Sequence, residues 1–139
     1  MSTRNLPFPK LEEIAFSLLE EHNANRCRHF SFILHKGRII SIGLNSSKTH
    51  PLNLRNRKIS RVTGEDYSSQ KQTCSELNAI LKLKRLTNID TRKCVLVNLR
   101  YDRNDKLALA KPCMSCQSLL QYHNFKFVVW STSKGYVCY

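Results

Sequence analysis

Two short stretches carry residue types that could do chemistry together: Cys74-Ser75-Glu76, and Pro112-Cys113-Met114-Ser115-Cys116. Cys113 and Cys116 are spaced i, i+3 on the opening turn of a predicted helix, so both sulfurs face one side. Cys74 stands at the start of another predicted helix. Unpaired N–H groups and the positive end of the helix dipole favour thiolates at both places. Three converging thiolates can hold zinc at about 2.3 Å each and leave one tetrahedral position open. The expectation is one Zn2+ per chain, held by Cys74, Cys113 and Cys116. Zinc lowers the pKa of water at such a position toward about 7. Glu76 is too close in sequence to chelate comfortably alongside Cys74, yet near enough to take that water's proton and pass it to a leaving group.

Blander readings exist for the same residues. A structural zinc site is usually closed by four protein ligands, and Cys27, His50 or His123 could supply the fourth. Glu76 alone reads as a first-turn acid that helps the helix dipole. Its place between Cys74 and the later cysteine pair favours the catalytic reading.

The pattern resembles the zinc-dependent cytidine/deoxycytidylate deaminase superfamily, whose signature is H-x-E…P-C-x-x-C. Cys74 stands where most members have His, as it does in the small free-cytidine deaminases. Leu77 stands where those small enzymes often carry Arg. The stretch from Asn25 to Pro51, with "GRIISIGLN" inside it, is similar to the deoxycytidylate-type, phage-encoded branch. The resemblance spans about residues 10 to 135. It implies a cytidine-deaminase-like fold and hydrolytic conversion of cytosine to uracil, with activated water attacking C4 of the ring. Glu76 would move protons from that water to ring N3 and then to the departing amine. It further implies that Asn45 contacts the sugar and that the Ser75 backbone bonds the base. His50, just beyond Asn45, could border the substrate. The same fold accommodates a free deoxycytidylate deaminase of nucleotide metabolism and a tRNA adenosine deaminase. A different class of rival is a non-catalytic zinc module that binds nucleic acid. Members of the superfamily range from monomers to hexamers, which leaves a homo-oligomer open.

These residues need elements to position them. Leu11, Ile14, Ala15 and Leu18 fall at helical spacing in "PKLEEIAFSLLEEHN", predicting a first helix that runs to the Asn-rich segment after it. Phe30, Phe32 and Leu34 alternate, Lys36-Gly37 makes a turn, and Ile39 to Leu44 return, which predicts a hairpin. A helix over about 74–86 carries Leu77, Ile80 and Leu81. "CVLVNLR" (94–100) reads as a buried strand and 112–123 as a helix with Pro in its first turn. The stretch 126–132 reads as a strand, and "YVCY" as a last one. Helices alternating with strands predict an α/β fold, a three-layer α/β/α sandwich with a mixed five-stranded sheet, in one domain over 1–139. Cys94, Trp130, Cys27 and Cys138 read as structural, and Tyr67 and Tyr101 as packing before base stacking.

Charge speaks to partners. The chain has 23 basic and 10 acidic residues, a net charge of +13. Only Arg4 and Lys10 among the basic residues precede Arg26, whereas four of the acids do. Such a surface favours polyanions, so nucleic acid or a nucleotide is the expected partner. The long polar stretch 46–72 carries Lys48, Arg55, Arg57, Lys58 and Arg61 with no acid among them. It lies between Asn45 and Cys74, where it could track a single strand past the pocket. No apolar run approaches a membrane span, and the N-terminus has no apolar signal core. The expectation is an intracellular, cytoplasmic protein, phage- or virus-encoded if the resemblance to that branch holds, with reduced cysteines and no membrane partner.

Overall fold

The computed structural model describes residues 6–19, 28–45, 74–112 and 114–138, without the side chains of Met114 and Ser115. Among these residues three helices, α1 (Phe8–Ser17), α2 (Ser75–Leu86) and α3 (Met114–His123), accompany six strands. The strands are β1 (Arg28–His35), β2 (Arg38–Leu44), β3 (Cys94–Tyr101), β4 (Leu107–Ala108), β5 (Phe127–Thr132) and β6 (Gly135–Cys138). The sheet is open and mixed, with order β2-β1-β3-β5-β6. Only β3 and β5 run parallel, and the two-residue β4 pairs with the end of β3. The fold is therefore α/β, with one short strand more than the five expected.

Side-chain alternation divides the core. Phe30, Phe32 and Leu34 of β1 and Val95, Val97 and Leu99 of β3 join one cluster, together with Leu11 and Ala15 of α1. Ile33 and Leu96, out of phase with them, join another with Leu77, Ile80 and Leu83 of α2 and Leu119 and Leu120 of α3. Strand period 2 thus lets β1 and β3 bury both faces, which is why they read as near-continuous apolar runs. The hairpin turn falls at Lys36-Gly37, as the sequence predicts. Both residues have positive φ, 52° and 77°, the twist that two-residue hairpins require. A bulge in the β1–β2 pairing between Ile33 and Leu34 shifts the register of β2. Beyond it, Ser41 and Gly43 pair with Ile33 and Ser31 and share their face.

That face is where α2 docks, and Gly43 makes the docking close. A Cβ built there would lie 2.2 Å from the Ser75 carbonyl oxygen and 2.4 Å from the Ala79 nitrogen. Polar bonds fix the same contact: Ser41 Oγ donates to the Ala79 carbonyl (2.7 Å), and the Leu44 N–H donates to Asn78 Oδ1 (3.1 Å). A glycine inside a strand often marks such an approach of two backbones.

Some expectations shift. The first helix closes at Ser17, because the Leu18 and Leu19 N–H groups turn to the Ala15 and Phe16 carbonyls in i→i−3 bonds. Pro112 precedes α3 instead of sitting in its first turn. Cys138 is exposed, not part of the core, because it ends the edge strand β6, where the neighbouring Val137 is exposed as well. Cys94 and Trp130 are buried as expected. Tyr101 packs edge-on against Phe16 and Phe30, and burial pushes its phenol up to about 12. No helix among the described residues is long and apolar enough to cross a membrane.

Gly43→Ala should force α2 off the sheet. The expected loss is about 1–3 kcal/mol of stability or more, the usual cost of overpacking, read as a lower urea midpoint in equilibrium unfolding.

Candidate metal centre

The start of α2 brings chemistry to the sheet. Cys74 occupies the N-cap, with extended backbone (φ −75°, ψ 153°), and its carbonyl accepts the first helical bond from the Asn78 N–H at 3.1 Å. Its thiol makes no capping bond, is half-buried and sits at the positive end of the helix dipole. Glu76 follows in the first turn, yet only 4% of it is exposed. An acid kept only for the dipole needs no burial, and an isolated carboxylate cut off from water is costly. Cys116, in the first turn of α3, is fully buried. The Cys74 and Cys116 sulfurs and a Glu76 carboxylate oxygen all lie within 4.8 Å of one another. Two ligand atoms on one tetrahedral zinc are about 3.8 Å apart at zinc–sulfur distances near 2.3 Å. The three side chains are thus close enough to bind a metal ion, and two soft thiols suit zinc.

The buried carboxylate is held from β3. Asn98 Nδ2 donates to Glu76 Oε1 at 2.5 Å and to the Ala110 carbonyl at 3.4 Å. Asn98 Oδ1 accepts from Ser31 Oγ at 2.6 Å. Ser31 has one hydroxyl hydrogen, and Asn98 Oδ1 takes it. Ser75 must therefore donate in the 2.7 Å contact between Ser75 Oγ and Ser31 Oγ. The result is a one-way chain, Ser75 to Ser31 to Asn98 to Glu76, in which each member is at most 4% exposed. Hydrogen bonds in such chains polarise one another and strengthen the last donor.

The loop into α3 is tied to the same place. The Ala110 N–H donates to the Ser131 carbonyl (2.9 Å), Ser131 Oγ donates to the Ala108 carbonyl (2.8 Å), and Gln117 Nε2 reaches back to the Pro112 carbonyl (2.8 Å). These bonds fix where α3 starts and hence where Cys116 points.

The expected site residues divide as follows. Cys74, Glu76 and Cys116 come together. The carboxylate stands within ligand reach of both sulfurs, a closer approach than its two-residue spacing from Cys74 suggested. Ser75 turns its hydroxyl inward to Ser31. Asn45 ends the β1–β2 ladder, its Oδ1 accepting the His29 N–H at 3.0 Å. His123 lies seven residues beyond Cys116, about 10 Å along the axis of α3, and is not part of the cluster. Cys27, Lys48, His50, Arg55, Arg57, Lys58, Arg61, Tyr67 and Cys113 lie outside the described residues.

Sequence reasoning missed Asn98 and Ser31, the two strand residues that hold Glu76. A signal was present: Asn98 is the one polar side chain inside the apolar run Val95–Leu99, and a polar residue in a buried strand is the informative exception. Arg100 was missed as well. It follows Asn98 on the same face of β3, opposite His29; its Nη1 donates to the Leu109 carbonyl (3.4 Å), and its buried Nε has no hydrogen-bond partner among the described residues. A cavity of about 560 Å3 runs along α3 and β6, lined by Pro112, Gln117, Leu120, Phe125, Trp130 and Val137 but by none of Cys74, Glu76 and Cys116. Compared with known proteins, the chain matches no family model and no curated protein.

Purified protein should contain one zinc per chain by elemental analysis, and Cys116→Ser should lower that content and the thermal midpoint together. Chelation should open the half-buried Cys74 to alkylation. Cys94 should stay unreactive until the protein unfolds, because burial raises its thiol pKa and denies access.

Proposed function

We propose that this chain is a zinc-dependent hydrolytic deaminase that converts cytosine to uracil, in single-stranded nucleic acid before a free deoxynucleotide. The observation that carries the reading is the buried Glu76 carboxylate, held by Asn98 beside the thiols of Cys74 and Cys116. A dipole-stabilising acid needs neither burial nor an amide partner. A proton carrier gains from both, because a carboxylate fixed by a donor keeps a defined direction toward the group it serves.

Cys74, Cys113 and Cys116 would hold the zinc, which supplies activation of a water near neutral pH. Glu76 would take the proton of the attacking water, deliver it to N3 of the ring as C4 is attacked, and then move a second proton to the exocyclic nitrogen. Cytosine and water become uracil and ammonia, and the carboxylate ends as it began. The Ser75 backbone at the helix start would bond the base, Asn45 the sugar, and His50 would border the substrate. Lys48, Arg55, Arg57, Lys58 and Arg61 would track a phosphate backbone. The fold that suits this is the cytidine-deaminase-like three-layer sandwich. In its favour are the two core clusters on opposite faces of β1 and β3, and a parallel β3–β5 pair whose helices start near the site.

One observation favours a second reading. Glu76 is close enough to the sulfurs to be a ligand itself, which with Cys113 would close a four-ligand structural site in a nucleic-acid-binding module.

A screen of mononucleotides, single-stranded DNA, duplex DNA and RNA for uracil and ammonia decides between them. Turnover on cytosine is expected, and Glu76→Ala should cut it by at least about 10²–10⁴-fold with zinc content unchanged. Zinc-loaded protein without turnover on any of these substrates would favour the structural site. Affinity for single strands should fall with salt at a log–log slope of about −0.7 per phosphate neutralised, and Arg55, Arg57 and Lys58 neutralised together should flatten it. Fast turnover of deoxycytidylate with no salt-sensitive strand binding would point to nucleotide metabolism instead.

A further inference from the structure

The carboxylate of Glu76 has two incompatible uses. As a fourth ligand it would fill the position that water needs. As a proton carrier it must stand beside the metal without binding it. Its oxygen lies within 4.8 Å of both sulfurs, so a small rotation decides which. Carboxylates are ordinary zinc ligands at about 2.0–2.2 Å, and nothing in the residue type forbids the first use.

We propose that Asn98 is the positioning residue that makes the choice: it holds Glu76 outside the metal's coordination sphere and so keeps the fourth position open. This rests on the metal-centre reading above. The hold is directional, because the amide cannot turn. Its oxygen is taken by Ser31 and its nitrogen faces two acceptors, Glu76 Oε1 and the Ala110 carbonyl. The residue is fully buried in β3, between β1 and β5, where the backbone has no room to yield. Second-sphere partners of this kind commonly orient the groups around a metal. Here the orientation works by restraint. Asp could not replace Asn98, since it offers no donor to a carboxylate.

Cobalt(II) in place of zinc makes the coordination visible, and azide reports an open position by shifting the visible bands. Wild-type cobalt protein should bind azide. Asn98→Leu, which keeps the branched shape and the heavy-atom count and removes the donor, should bind it at least tenfold more weakly, because Glu76 now occupies the position. The double variant Asn98→Leu/Glu76→Ala should regain azide binding. If Asn98→Leu does not fold by circular dichroism, Ser31→Ala, which only loosens the amide, takes its place: a severalfold loss is expected, restored by Glu76→Ala. Azide binding unchanged in the single variant overturns the proposal, as does a loss that removing Glu76 does not repair. A wild-type chain that takes up no cobalt overturns the metal reading and this inference together; normal uptake with unchanged azide binding overturns only the inference.

Discussion

The hydrogen bond from Asn98 to Glu76 is the constraint around which the described structure is arranged. It places a carboxylate away from water, which is tolerable only when a strong donor faces it. The donor sits on β3, the carboxylate on α2, and the supporting hydroxyls on β1 and α2. Through Ala110 the same amide touches the loop that leads to α3 and Cys116. One side chain thus ties together every described element that supplies a candidate ligand or proton carrier. Charge-assisted bonds of this type contribute about 1.5–3 kcal/mol, and leaving the buried partner unpaired costs at least as much as a lost bond.

The sheet is built to permit that bond. In one row across it stand Gly43, Ser31, Asn98 and Trp130, linked by the strand registers. The first two are small, and this lets the start of α2 come down onto the sheet until its backbone meets Gly43. The apolar clusters around Ile33, Leu96, Ile80 and Leu83 then hold α2 in place from one turn further along. Packing supplies the position and polar bonds supply the direction. The cavity along α3 and β6 borders this arrangement through Trp130, Pro112 and Gln117, but none of Cys74, Glu76, Asn98 and Cys116 lines it.

Much of this was legible in the sequence because it is periodic or punctuated. The alternation of Phe30, Phe32 and Leu34, the Lys36-Gly37 turn and the apolar run of β3 each state their element locally. The pairing of Cys74 and Glu76 with Cys116 was legible from residue types, since thiols at two helix starts and an acid nearby have few joint explanations. What stayed hidden depends on sheet register. That Ser31 lies opposite Asn98, and that Gly43 lies beneath Ser75, follows from contacts between residues 67 and 32 positions apart, which no local pattern encodes. The bulge near Ile33 adds to this, because it changes which β2 residues face α2. The end of α1 was overrun for the opposite reason: its apolar spacing continues through Leu18 while its hydrogen bonds have already tightened.

The proposed centre is a zinc held by thiolates with Glu76 beside it but not on it. A crystal structure of the purified protein, with anomalous data collected on both sides of the zinc absorption edge, tests this most directly. The expected result is one zinc peak bonded to the sulfurs of Cys74, Cys113 and Cys116, a water in the remaining position, and Glu76 Oε1 still on Asn98 Nδ2. No zinc between these sulfurs, or a zinc whose fourth ligand is the Glu76 carboxylate, would contradict it.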